Sequence, residues 1–143
     1  RQDYWKADFL TELSDEAIDV NLKFGGKMPN PSSVMHLYSV NGAIQDVAPD
    51  ATAYNRRDAK FAWVAFVTDD DASRMPDHIA YARDYWDALH PYTAGGAYLN
   101  MIMDEGSDRV KDAYRDNYPR LQQIKKKVDP ENRFRINQNI TPK

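Results

Sequence analysis

The chain has 143 residues, of which 42% are hydrophobic, 12% aromatic and 29% charged, the length and profile of one soluble globular domain with a real core. Nineteen basic against twenty-two acidic residues leave a formal charge of −3, so there is no positive field to draw in nucleic acid or anionic lipid. The absence of cysteine excludes disulfides, thiolate nucleophiles and cysteine metal sites, and His36, His78 and His90 lack ligand spacing, so no metal is expected. No apolar run approaches the roughly 20 residues of a membrane span, and Arg1-Gln2-Asp3-Tyr4-Trp5 does not open a signal peptide. A start without Met reads as a piece of a longer protein. A cytoplasmic location is the default expectation, with export of that parent left open.

Residues 3–13 gather Tyr4, Trp5, Phe9 and Leu10 without a clear period, and Ser14-Asp15-Glu16 then signals a helix start, predicting a helix from about Asp15 to Lys23. Gly25-Gly26 stops it, and Pro29-Asn30-Pro31 keeps the next stretch extended. From Ser33 to Val47, apolar residues flank Asn41-Gly42, a strong turn dipeptide, which predicts a hairpin or two tightly joined strands. After a polar stretch from Tyr54 to Asp58, the run from Lys60 to Thr68 is rich in β-branched and aromatic residues and is the surest strand. Asp69-Asp70-Asp71 breaks it as a solvated turn, since the alternating ligands and closing Glu of a calcium loop are missing.

Ile79, Ala82, Trp86 and Leu89 recur at helical spacing behind Pro76-Asp77, predicting an amphipathic helix from about Asp77 to Leu89. Gly95-Gly96 introduces an alternating stretch from Ala97 to Ile102, read as a short strand that would put Tyr98 and Asn100 on one face. Ser107 caps a helix to about Tyr114. A second, from about Tyr118, aligns Leu121, Ile124 and Val128, carries Lys125-Lys126-Lys127 in its last turn and ends at Asp129-Pro130. The tail at Phe134-Arg135-Ile136 is weakly extended. Strands and helices mix without regular βαβ alternation, so the predicted class is α+β with a largely antiparallel sheet and helices packed on one face. Residues alone offer little catalysis: no Ser-His-Asp order, no metal cluster and no glycine-rich phosphate cradle.

A spaced pattern in the last third adds more: Tyr98-x-Asn100, then Asn117-Tyr118-x-Arg120-Leu121, Lys125, Asp129-Pro130-x-Asn132-x-Phe134, Asn137-Gln138, Ile140 and Pro142. It resembles the carboxyl-terminal end of the berberine-bridge-enzyme-like FAD-linked oxidases. Tyr4-Trp5-Lys6, Phe9-Leu10, Asn41-Gly42-Ala43-Ile44 and Arg57-Asp58-Ala59 extend the likeness over nearly the whole chain. The resemblance implies a single substrate-side domain over 1–143, with sheet and helices in 1–97 and the family's closing segment in 98–143. FAD would be bound mainly by a preceding domain missing here, the expected partner together with a small-molecule substrate.

In such oxidases a Tyr two residues before an Asn often takes the substrate's hydroxyl proton as hydride passes to the flavin, which makes Tyr98 the candidate catalytic base. A free phenol titrates near 10, so a base working at neutrality needs a second donor or the flavin to help it. The resemblance places Asn100, Asn137 and Asn139 near the cofactor, and amide side chains suit that position because they both donate and accept. His36, Tyr38 and Trp63, on predicted strands, are the candidate substrate-pocket residues. Family members often carry a Gly pair where Asn41-Gly42 stands, a His at Arg56 and an aromatic at Met101, which leaves the substrate open. A chain cut from its partner domain is expected to be inactive alone, to expose an apolar patch and to self-associate. The rival reading is a stand-alone α+β module that uses its aromatic sheet to hold a small molecule or partner chain without catalysis.

Overall fold

β3 (Phe61–Asp69) runs through the middle of a three-stranded antiparallel sheet, flanked by β1 (Gln2–Leu10) and β2 (Val34–Ser39), in a computed structural model that describes residues 1–143. Its near-continuous apolar run follows from its position, because a strand paired along both edges in the middle of the sheet is buried or half-buried along its whole length. The register sets Lys6 and Met35 on either side of Ala65, and Leu10 opposite Phe61. Trp63, Ala65 and Leu10 therefore share one face, and Ala62, Val64, Ala7 and Phe9 the other.

Helices α1 (Asp15–Gly25) and α2 (Met75–Leu89) cover the first face. Ser14 caps α1 by accepting from the Ala17 N–H at 3.2 Å, as the sequence predicts, and Pro76 occupies the first turn of α2 where no N–H partner is needed. The helices lock together where Phe24 stacks on Tyr85 at 4.9 Å, with Trp63 edge-on to the same ring. The predicted class, α+β with an antiparallel sheet and helices on one face, holds. The remaining helices are α3 (Ser107–Tyr114) and α4 (Tyr118–Val128), and no helix is long and apolar enough to cross a membrane.

Four local expectations change. β1 is a full strand that the sequence pattern hid, because Lys6 and Asp8 interrupt its apolar residues. Both are buried: Lys6 pairs with Glu105 and lies 4.1 Å from the Trp86 ring, and Asp8 meets His90 Nδ1 at 2.6 Å. The hairpin about Asn41-Gly42 does not form. Gly42, at φ +70°, instead opens a 3₁₀ turn over Gly42–Ile44, and β2 pairs with the longer apolar edge of β3, which offers more ladder than the segment after the turn.

The stretch expected as a strand from Ala97 to Ile102 is also a 3₁₀ turn, Leu99–Met101. On α4 the apolar stripe faces outward: Ile124 and Val128 are exposed while Tyr118 and Gln122 point in. Polar contacts set that rotation, with Asn117 Nδ2 donating to the Pro49 and Thr52 carbonyls and Gln122 Nε2 to that of Thr141. Phe134 and Ile136 stand in the open without strand pairing.

Candidate functional site

The face of the sheet away from α1 and α2 is only partly covered, and a hollow of about 410 Å³ sits on it. Phe9 and Ala62 form its floor, Tyr38 rises from β2, Ile44, Tyr54 and Arg57 come from the loop between β2 and β3, and Tyr98 and Met101 close one side. The Arg57 guanidinium lies 4.7 Å from the Tyr54 ring and donates to the Ile44 carbonyl at 3.0 Å and to Thr52 Oγ1 at 2.8 Å, which ties the loop over the floor. Tyr54 meets Phe9 and Tyr98 edge-to-face at 6.0 and 6.2 Å, and burial pushes its phenol above the usual tyrosine value.

The chain reaches Tyr98 through two consecutive left-handed glycines, Gly95 at φ +63° and Gly96 at φ +68°. Both are clamped. Arg56 Nη2 donates to the Gly95 carbonyl at 2.8 Å, and Asp112 Oδ2 accepts from the Gly96 N–H at 2.6 Å. A Cβ on Gly96 would stand 3.2 Å from Arg56 Nε, so glycine is required there for both space and dihedral. Just upstream, Ala94 N–H donates to the Phe9 carbonyl, and Thr93 and His90 hold the buried Asp8 carboxylate, with Arg109 on its other oxygen. Burial raises the Asp8 carboxyl above the ordinary value despite these partners.

Tyr98 itself is extended and 42% exposed, and Met101 N–H closes the following turn on its carbonyl at 2.7 Å. That turn folds Asn100 back, so that Asn100 Nδ2 donates to Tyr98 Oη at 3.0 Å. The sequence placed the two side chains on one face of a strand; the structure brings them into direct contact through a turn instead.

Tyr38 lines the hollow. His36, two residues earlier on the same face of β2, stacks on Tyr38 at 5.3 Å and is not one of its walls. Trp63 is excluded as a pocket residue: it faces the opposite side of the sheet, fully buried, and donates from Nε1 to Asn21 Oδ1 at 2.9 Å. The register explains this, since Trp63 is one residue out of phase with Ala62 on the floor.

Asn100 and Asn137 line a second hollow of about 770 Å³ beside Tyr98, with Trp5 and Gln138. Gln138 Nε2 donates to the Ile102 and Met103 carbonyls, which pins the tail to the Tyr98 segment, and Asn137 takes φ +63°, a left-handed conformation asparagine tolerates. Asn139 is not among the walls of this hollow. Trp5 Nε1 and Asn139 Oδ1 are buried without a hydrogen-bond partner. No group of three or more His, Asp or Glu side chains could hold a metal ion. Phe9, Tyr54, Arg57 and Met101 are pocket residues that sequence reasoning missed: Tyr54 and Arg57 lie in a loop with no period to show which way it turns, Phe9 on a strand whose alternation Lys6 and Asp8 disguise, and Met101 in a stretch expected as a strand that is a 3₁₀ turn.

Residues 97–141 match the family model described as berberine and berberine like. The chain is 31% identical over 138 residues to the uncharacterized FAD-linked oxidoreductase YvdP of Bacillus subtilis, covering 96% of this chain and 30% of that protein. It is 27% identical to berberine bridge enzyme-like 17 of Arabidopsis thaliana, over 99% of this chain and 29% of the relative. Among solved structures, a glycopeptide hexose oxidase complexed with teicoplanin superposes with a TM-score of 0.86 at 24% identity, over 98% of this chain and 32% of that one. Berberine bridge enzyme from Eschscholzia californica does so with a TM-score of 0.82 at 20% identity, over 99% and 33%. These structural likenesses carry the fold, and the sequence matches carry the kinship. The chain belongs to the berberine-bridge-enzyme-like family of FAD-linked oxidases, and it spans about 30% of the length of the relatives it matches.

Proposed function

We propose that this chain is the substrate-side part of an FAD-dependent oxidoreductase that oxidises a hydroxyl- or amine-bearing small molecule, with Tyr98 as the base. The observation that carries this reading is a half-exposed phenol at the edge of an aromatic hollow, its oxygen already engaged by an amide donor. In this reading residues 1–97 provide the floor and the loop wall, and 98–143 bring in Tyr98 and the amides beside it.

The second hollow supports FAD as the cofactor. A flavin's polar edge presents both acceptors and a donor, and this region offers the amides of Asn100 and Asn137 and the unpartnered Trp5 indole N–H. FAD bound there would supply the acceptor for the hydride that leaves the substrate carbon. Phe9, Tyr38 and Tyr54 would hold an apolar ring or chain and exclude water. Tyr98 Oη would take the proton from the substrate O–H or N–H.

Most of the FAD contacts would come from the remainder of the longer protein. Two surfaces suit that partner: the unpaired outer edge of β2, and the exposed side chains of Ile124, Val128, Phe134 and Ile136. Separated from it, the chain would be inactive. The test is Tyr98→Phe in the full-length, FAD-bearing protein. Turnover is expected to fall roughly 10²- to 10⁴-fold with flavin content unchanged, and a variant that turns over at the wild-type rate would remove Tyr98 from the mechanism.

A further inference from the structure

The Asn100–Tyr98 contact is more than two neighbours on one surface. Had residues 97–102 formed a strand, the two side chains would have projected side by side, about 6.6 Å apart at their roots, with no reason for the amide to reach the phenol oxygen. The 3₁₀ turn instead directs Nδ2 onto Oη at 3.0 Å, and no other protein group hydrogen-bonds to that oxygen. A phenolate can only accept, so an amide N–H is the form of Asn100 that matches Tyr98 in the state a base requires.

The surrounding charge points the same way. Arg57 is the only charged residue in the walls of the hollow, and it stacks on Tyr54, the ring that meets Tyr98 edge-on. The carboxylate next to it in sequence, Asp58, is taken by Arg56 and Arg115, which leaves the Arg57 charge uncompensated by an ion pair. Negative charge forming on Oη is thus met by a direct donor, in a hollow whose one charged wall residue is a cation.

We infer that Asn100 is a positioning residue, the hydrogen-bond donor that stabilises the deprotonated form of Tyr98 and keeps its oxygen turned to the substrate, a role additional to any contact with the cofactor. The inference rests on the reading of Tyr98 as the base. A hydrogen bond to a charged acceptor corresponds to roughly a 10- to 100-fold effect on the population of that state.

The experiment compares Asn100→Ala, Asn100→Asp and Tyr98→Phe in the full-length FAD-bearing protein, following kcat and KM against pH, flavin content, and the ultraviolet phenolate signal that Tyr98→Phe removes. Loss of the donor is expected to lower kcat, taken per bound flavin, roughly 10- to 100-fold near neutrality, to move the rise of the rate profile and of the phenolate signal up by about one to two pH units, and to leave KM nearly unchanged. Asn100→Asp keeps the size and shape of the side chain, so a merely structural role would survive it, whereas the proposed role predicts a shift at least as large as that of Asn100→Ala. Unshifted profiles in both Asn100 variants, alongside a collapse in Tyr98→Phe, would overturn the role of Asn100 and leave Tyr98 as the base. Wild-type turnover in Tyr98→Phe would overturn both.

Discussion

The two faces of the sheet use the same kind of side chain for opposite ends. On the helix-covered face, Tyr85 is fully buried and its hydroxyl donates to Asn21 Oδ1 at 2.7 Å. Burial pushes its phenol up to about 12 and seals it from any ligand. On the open face, Tyr98 is half exposed and accepts from an asparagine. A phenol becomes a structural anchor or a candidate base according to whether its oxygen is sealed in as a donor or left open as an acceptor. The covered face joins a large apolar cluster to buried polar pairs such as Lys6 with Glu105 and Asp8 with His90. The open face is held by polar clamps: Arg56 and Asp112 on the glycine pair, Gln138 on the tail, and Asp129 at the end of α4.

That contrast can be broken at three places. The largest expected effect is on the covered face: Trp63→Ala removes the biggest fully buried side chain and should destabilise the chain by about 3–5 kcal/mol, a drop in Tm of roughly 10 °C or more in thermal unfolding. A near-unchanged Tm would mean that Trp63 is not core.

The second effect is a pH dependence confined to the open side. The Asp129 carboxylate accepts from Lys125 and from the Arg133 and Phe134 N–H groups, and the Lys125 bond chiefly lowers its pKa to about 2. A lowered carboxylate pKa stabilises the fold fully above the ordinary value near 4, and that contribution is lost as pH falls from about 4 through 2. Hydrogen exchange at Arg133 and Phe134 should therefore quicken across that window while the β3 amides stay protected, and Asp129→Asn should show the faster exchange already at neutral pH. Simultaneous release of β3 would show the two regions to be one cooperative unit.

The smallest effect is on Tyr98→Phe stability, expected within about 0.5 kcal/mol of wild type because one hydrogen bond of a half-exposed group is lost. Paired with a collapse of turnover in the full-length protein, that result would separate function on the open face from stability on the covered one.

Legibility followed the strength of local signals. β3, α1, α2, α3 and α4 could be read to within a few residues because apolar period, the Ser14 cap and proline positions act within one turn or one strand, although Ser107, expected to cap α3, is its first residue and Gly106 stands at the cap without a side-chain bond. β1 could not, since Lys6 and Asp8 look like surface residues until Glu105, Trp86 and His90 arrive from far along the chain. The outward stripe of α4 misled in the opposite sense. Its apolar residues are aligned, but distant carbonyls at Pro49, Thr52 and Thr141 fix which way the helix is turned.

Of the candidate site, the sequence singled out Tyr98 and Asn100 together, through a local pattern that resembles a known family. The structure decided how they pair, and which aromatic residues stand around them. A strand and a 3₁₀ turn are both compatible with the residues from Ala97 to Ile102. The choice was made by the two left-handed glycines and by Arg56, Asp112 and Gln138, which come from other parts of the chain. In the same way, Trp63 and Ala62 differ by one place in sequence and by the whole thickness of the sheet in space. Local chemistry can state what a residue is able to do. Only the closing of long-range contacts, through register and clamps, decides which side of the sheet it does it on.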